Sequence, residues 1–210
     1  MPHNAAKERN RELGILSQFY TNSREFGDQL LIGIQLKQHL RPQLALRALA
    51  AYNRYEYSSR PLVLDAYNND SLRMQATISN ANMVAVGIGL EAQRHFYKKI
   101  WLFAALELQA GHGTGKTASS SDVLPYGSFF SVFPNVLSPD YKTVAFQRTY
   151  VRLLPGVGAK IVFDRVNFGL ETQFAHVGIQ SEKTAEQRTT IPVIDVFNNM
   201  TGRFNINYRF

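Results

Sequence analysis

The chain has 210 residues, a formal net charge of +7, 45% hydrophobic residues and no cysteine. Without cysteine there is no disulfide framework and no thiolate metal site, and no stretch approaches the ~20 consecutive apolar residues of a membrane helix. The lysines and arginines form no dense run, so the positive charge argues against nucleic acid and suits contact with anionic lipid headgroups.

Residues 1–10 read as a polar tail, and 11–210 as one domain. The tail lacks the apolar core of a secretory signal. An exported protein with this sequence would have lost its signal, or Met1 is not the native start. Arg11 to Tyr20 is the first predicted strand, with Leu13, Ile15 and Phe19 on one face. A polar loop covers Thr21 to Asp28. The second strand, Gln29 to Leu40, alternates Ile32, Ile34 and Leu36 with Leu31, Gly33, Gln35 and Lys37. His39 to Pro42 reads as a tight turn. The third strand, Gln43 to Tyr57, sets Leu44, Leu46, Ala48 and Ala50 against Arg47, and a polar loop spans Ser58 to Asp70.

The fourth strand is clearest at its end, where Val84, Val86, Ile88 and Leu90 oppose Ala85, Gly87, Gly89 and Glu91. Arg94 to Lys99 is predicted as a short turn. The fifth strand alternates Leu102, Ala104, Leu106, Leu108 and Ala110 with Phe103, Ala105, Glu107 and Gln109, and a long irregular stretch is expected from Gly111 to Gln147. The sixth strand places Val151, Leu153, Val157 and Ala159 opposite Arg152, Gly156, Gly158 and Lys160. Asp164 and Arg165 make a tight turn. The seventh places Val166, Phe168, Leu170 and Phe174 opposite Asn167, Gly169, Glu171 and Gln173. After a polar loop, Ser181 to Thr190, the chain ends on Phe204, Ile206, Tyr208 and Phe210, alternating with Arg203, Asn205, Asn207 and Arg209.

This last strand resembles the closing strand of bacterial outer-membrane β-barrels, where it serves as the assembly signal. Its Tyr208-Arg209-Phe210 ending resembles that of small Bacteroidetes-type outer-membrane barrels, and the whole pattern is similar to OmpA-like eight-stranded proteins. The fold class expected is therefore all-β: a closed, antiparallel, up-and-down transmembrane barrel of about eight strands. A mean hydropathy of −0.20 is no obstacle, because such a barrel needs only alternate residues apolar. Odd-numbered connections are long and even-numbered ones short, as for extracellular loops and periplasmic turns, which puts both termini in the periplasm. Phe96, Tyr97, Trp101, Tyr208 and Phe210 would form an aromatic girdle at that end.

Alternation alone does not separate inside from outside, and a lipocalin-like soluble barrel would hold its apolar face around a ligand. Glycines and mixed-sign charges on the polar face favour a narrow, packed lumen instead. Lys37, Arg47, Glu91, Glu107, Arg152, Lys160, Glu171 and Arg203 would fill it as a salt-bridge network similar to the charged plug of small OmpA-type barrels. A gated ion path or a buried carboxylate site is the sharper alternative.

Ala110 to Thr117 approaches a phosphate-binding loop, but Ala110 stands where the first glycine is required and no helix follows. The histidines His3, His39, His95, His112 and His176 show no metal-ligand spacing. His176 and Ser181 invite comparison with outer-membrane lipid A deacylases, whose His/Ser pair lies two residues apart on one strand; here the separation is five. No catalytic residue, cofactor or metal is expected. The apolar stretch from Val123 to Pro134 has three readings: packing above the membrane, docking on another protein, or plugging the lumen. Tyr126, Phe129, Phe130 and Phe133 are the candidate docking anchors. The function expected is a non-enzymatic scaffold or accessory subunit of an outer-membrane complex, with lipid-modifying enzyme, narrow channel and soluble ligand-binding barrel as alternatives. The partners implied are outer-membrane lipopolysaccharide, the barrel-assembly machinery and other outer-membrane or surface proteins.

Overall fold

The computed structural model describes residues 10–20, 28–59, 62–64, 71–125 and 142–210. These form nine strands and, among the described residues, no helix: β1 (Arg11–Tyr20), β2 (Asp28–Arg41), β3 (Leu44–Ser59), β4 (Leu62–Leu64), β5 (Ser71–Tyr97), β6 (Ile100–Pro125), β7 (Lys142–Val162), β8 (Val166–Lys183) and β9 (Arg188–Arg209). Every pairing is antiparallel. The hydrogen-bonded ring runs β1–β2–β3–β5–β6–β7–β8–β9 and returns to β1, with β4 paired outside it on β5. Closure rests on the first and last strands, from Glu12 opposite Arg209 to Tyr20 opposite Thr201. With no free edge in the ring, its backbone donors and acceptors are paired within the wall, as hydrocarbon requires.

The two faces of that wall are the reverse of a soluble protein's. Ile15, Ile34, Val84, Ile88, Leu108 and Ile179 stand outward, each about half exposed, while Lys37, Arg47, Glu91, Glu107, Glu171 and Arg203 are at most 1% exposed. A lipocalin-like barrel has the opposite arrangement, and that alternative is set aside. The outward apolar positions run from Val84 to Leu90 on β5 and from Leu102 to Ala110 on β6. This is close to the ~9–11 residues of a strand crossing a bilayer. The chain is a transmembrane barrel.

At the end carrying the termini, Phe96, Tyr97, Phe163, Phe168, Tyr208 and Phe210 are exposed in an aromatic rim. Trp101 is half-buried and meets His95 edge-on at 5.3 Å. The connections at this end are tight. Pro42 and Gln43 join β2 to β3, and Lys98 and Lys99 join β5 to β6. Lys98 adopts the left-handed backbone (φ 46°), and its carbonyl accepts a 2.6 Å hydrogen bond from the His95 ring. Two-residue hairpin loops need such positive φ values to match the strand twist.

The opposite end departs most from the sequence reading. Gly111 to Pro125 is not irregular: it continues β6, paired with β5 on one side and, from Gly111 to Ser119, with β7 on the other. Lys142 to Gln147 likewise belongs to β7, and Ser181 to Lys183 to β8. Leu62–Leu64 forms a short strand inside the stretch read as a loop. Glycine, serine and threonine carry little strand signal of their own, so only the neighbours' hydrogen bonds define these extensions. Strands of 27 and 26 residues run far beyond the apolar belt. At the first end the reverse holds: Arg94 to Tyr97 and His39 to Arg41 are strand, not turn.

Placing an arginine in the apolar belt should separate a membrane wall from a soluble one. Ile88→Arg is expected to destabilise the barrel in lipid vesicles by about 2–4 kcal/mol, and Thr114→Arg, above the belt, by about 0–1 kcal/mol, read from denaturant unfolding.

Candidate functional site

Each strand of the ring sends polar side chains inward, and together they fill the lumen. Alternation fixes this: once the apolar residues of a strand face outward, its Lys, Glu, Gln and Asn have only the interior to occupy. Near the end carrying the termini, Lys37 of β2 and Lys160 of β7 both donate to Glu91 of β5, at 2.6 and 2.9 Å. The Phe103 ring lies beneath both ammonium groups, 5.6 and 6.0 Å from its centroid. Gly158 leaves room for that ring, since an added Cβ would stand 2.5 Å from a Phe103 ring carbon. Beside this group, His39 and Glu12 are 2.7 Å apart.

Arg47 of β3 links this layer to the next. Its Nε lies 3.8 Å from Glu91, and its Nη2 donates to Glu171 of β8 at 2.7 Å. Arg203 of β9 meets both carboxylate oxygens of Glu107 on β6, at 2.8 and 3.2 Å, and approaches Glu171 at 3.7 Å. This fork-to-fork geometry is the strongest form of the pair. Lys37, Arg47, Lys160 and Arg203 thus stand against Glu91, Glu107 and Glu171, while Glu12 meets His39. Burial of so many charges is tolerable only because each meets an opposite one.

Amides fill the space around these charges. Arg152 donates to Gln109 at 2.8 and 2.6 Å and contacts His176 at 3.5 Å. The other His176 nitrogen is 3.2 Å from the Thr201 hydroxyl. Gln18 accepts from Arg203 at 3.4 Å, and Gln35 donates to Asn207 at 2.6 Å. These glutamines and asparagines were not among the sequence candidates, although their inward parity follows from the same alternation. Arg152 differs from the other interior charges in being only half-buried.

A change of phase marks this level of the wall. The β7–β8 register breaks between Leu153 and Gly156, and the β8–β9 register between Gln173 and Ala175. Such bulges re-aim side chains: Ala175 and His176, consecutive in sequence, are both buried. Ser181 does not join His176. Its hydroxyl accepts from Arg188 and Thr190, each at 3.2 Å, in an exposed position, so the two residues form no dyad.

The stretch from Gly111 to Lys116 is strand and not a phosphate-cradling loop; at Gly111 the backbone gives way to the Tyr150 ring. Among the described residues, no group of three His, Asp or Glu stands close enough together to hold a metal ion. Tyr126, Phe129, Phe130 and Phe133 lie outside the described residues. In the closing strand, Phe204, Tyr208 and Phe210 are exposed on the outer wall and Ile206 is half-buried beside them.

No family model and no curated protein matches the chain. Among solved structures it is similar to the outer membrane protein OprG from Pseudomonas aeruginosa (8% identity, 96% of each chain, TM-score 0.46). It is also similar to the N-terminal β-barrel domain of Pseudomonas aeruginosa OprF (10% identity, 96% of this chain and 98% of that one, TM-score 0.39). A third is the outer membrane protease OmpT from Escherichia coli (8% identity, 96% of this chain and 94% of that one, TM-score 0.44). Proteolysis is a property of OmpT, and likeness at this identity does not carry it to the present chain.

Removing one member of a buried pair leaves the other uncompensated. Glu107→Gln is expected to destabilise the barrel by about 3–5 kcal/mol, while the double change Glu107→Leu with Arg203→Met should recover most of that loss. Denaturant unfolding in detergent micelles, with intact closure checked by circular dichroism, measures both.

Proposed function

We propose that this protein is a non-enzymatic barrel of the bacterial outer membrane that acts as a scaffold, or as an accessory subunit of a larger membrane complex. The observation carrying this reading is the Arg47–Glu171 contact, 2.7 Å long, across the middle of the lumen. It joins β3 to β8, which lie opposite one another in the ring whichever way it is followed. An interior cross-braced in this way serves as a packed support and leaves the outer surfaces to do the work. The outer-membrane location is supported by the apolar belt on a closed β-wall, since β-barrels of this kind with a terminal aromatic strand resemble those of that membrane. By the same resemblance, Phe204, Ile206, Tyr208 and Phe210 address the chain to the barrel-assembly machinery, and the termini lie in the periplasm. The Bacteroidetes-type likeness rests on Tyr208-Arg209-Phe210 alone.

The end away from the termini is the proposed working surface. Strands β5 and β6 rise well past the belt there, and the aromatic anchors Tyr126, Phe129, Phe130 and Phe133 are assigned to partner docking on the strength of the sequence. A particle extracted from its native membrane in mild detergent and weighed intact by native mass spectrometry should contain more than this 23.8 kDa chain. The extra chains should leave when Phe129, Phe130 and Phe133 are changed to Ser. A lone chain would reject the subunit reading. In planar bilayers the wild-type protein should pass no steady current; conductance that changes with Glu107→Gln would make it a channel.

A further inference from the structure

Cross-strand partners in an antiparallel sheet project to the same face, so the outer wall can be read row by row. Ala50, Val86, Ala110, Val151 and Ile179 form one continuous row across β3, β5, β6, β7 and β8. It is wholly apolar and belongs to the belt. The next row away from the termini is mixed: Tyr52, Val84, His112, Thr149 and Ser181. The row after that is Arg54, Asn82, Thr114, Gln147 and Lys183. Apolar wall gives way to cations and amides within two steps, which is where hydrocarbon meets headgroups.

This boundary is also concave. A groove of about 920 Å³ runs along it, lined by Tyr52 and Arg54 of β3, Asn80 and Asn82 of β5, and Thr114 and Lys116 of β6, and reaching Lys183 at the end of β8. None of the described residues lining it is acidic. Lys116 and Lys183 are exposed and form no ion pair among the described residues. The Tyr52 hydroxyl donates to the Asn82 side-chain oxygen at 2.7 Å, which fixes one wall of the groove. Two exposed lysines and several amide donors beside an apolar belt are the complement of one ligand class: an anionic headgroup whose acyl chains continue down the belt.

We propose that this groove binds the phosphate-bearing headgroup of a lipid in the leaflet farther from the termini, with Lys116 and Lys183 holding the phosphates and Asn80, Asn82 and Thr114 the adjoining polar groups. The proposal rests on the transmembrane reading of the belt. It gives the barrel a bound lipid at a fixed place on its wall, beyond a general affinity for the bilayer.

The test uses the full chain in detergent, with bound lipid counted by native mass spectrometry during titration with diphosphorylated lipid A. The double variant Lys116→Gln/Lys183→Gln should bind about 25-fold more weakly, since each such cation contributes about fivefold. A double variant at the opposite end, Lys98→Gln/Lys99→Gln, should bind as the wild type does. Equal losses in both variants, or none in either, overturn the proposal. So does full displacement of the lipid by millimolar inorganic phosphate, which would make the groove a site for free anions. Flotation with phosphatidylcholine vesicles separates the two levels of the argument. A chain that fails to float refutes the transmembrane reading itself; one that floats but loses no lipid binding in the Lys116/Lys183 variant refutes only the groove.

Discussion

Eight strands closed into a ring enclose a space scarcely wider than the side chains that line it. Any charge placed there must meet an opposite charge, because the narrow interior offers neither bulk water nor room to avoid its neighbours. The pairing of Lys37, Arg47, Lys160 and Arg203 with Glu91, Glu107 and Glu171 answers that constraint. Much else in the lumen adjusts to it. Gly158 withdraws so that Phe103 can lie under two ammonium groups, and the bulges in β7 and β8 turn His176 toward Arg152. An apolar interior would have been simpler to pack, but the alternation that sends leucine and valine to the lipid leaves only the polar set to fill the core.

The barrel was readable in the sequence wherever one face of a strand is apolar. Leu102 to Ala110, Val166 to Leu170 and Phe204 to Phe210 identify their strands and, through parity, nearly every inward charge. Where the wall leaves the bilayer that contrast disappears. In Gly111 to Ser121 glycine, serine and threonine recur on both faces, and in Lys142 to Gln147 the one buried apolar anchor is Phe146, packed with Ala81 and Met83. Such strands exist because their neighbours supply hydrogen bonds, and no local periodicity announces them. The same limit applies to the interior amides: Gln18, Gln35, Gln109 and Asn207 follow from parity, but their partners on other strands depend on register, which a sequence does not display. Arg152 shows the converse, a residue whose face was readable and whose depth was not.

Lumen and outer wall therefore divide the protein's chemistry. Inside, charges are spent on one another across the barrel, so their contribution is to shape. Outside, above the belt, Lys116 and Lys183 are left exposed, and the sheet there curves into a groove. The basic turns at the other end lie beside an aromatic rim, where Lys98 sits over the Tyr97 ring and Lys99 over the Phe163 ring.

The seam between β1 and β9 carries a consequence for the order of events in folding. Leu13 faces Tyr208 and Glu12 faces Arg209, so the pairing that closes the ring joins residues almost 200 positions apart in sequence. Contacts of such long sequence separation form late and slowly. Until they do, the sheet is open, and the face that will become the lumen is a charged surface fully at home in water. The Arg47–Glu171 contact depends on the same event, because β3 and β8 are opposed only when the ring is complete. Closure and desolvation of the charges are then a single cooperative step, and a half-built barrel has little reason to enter the membrane.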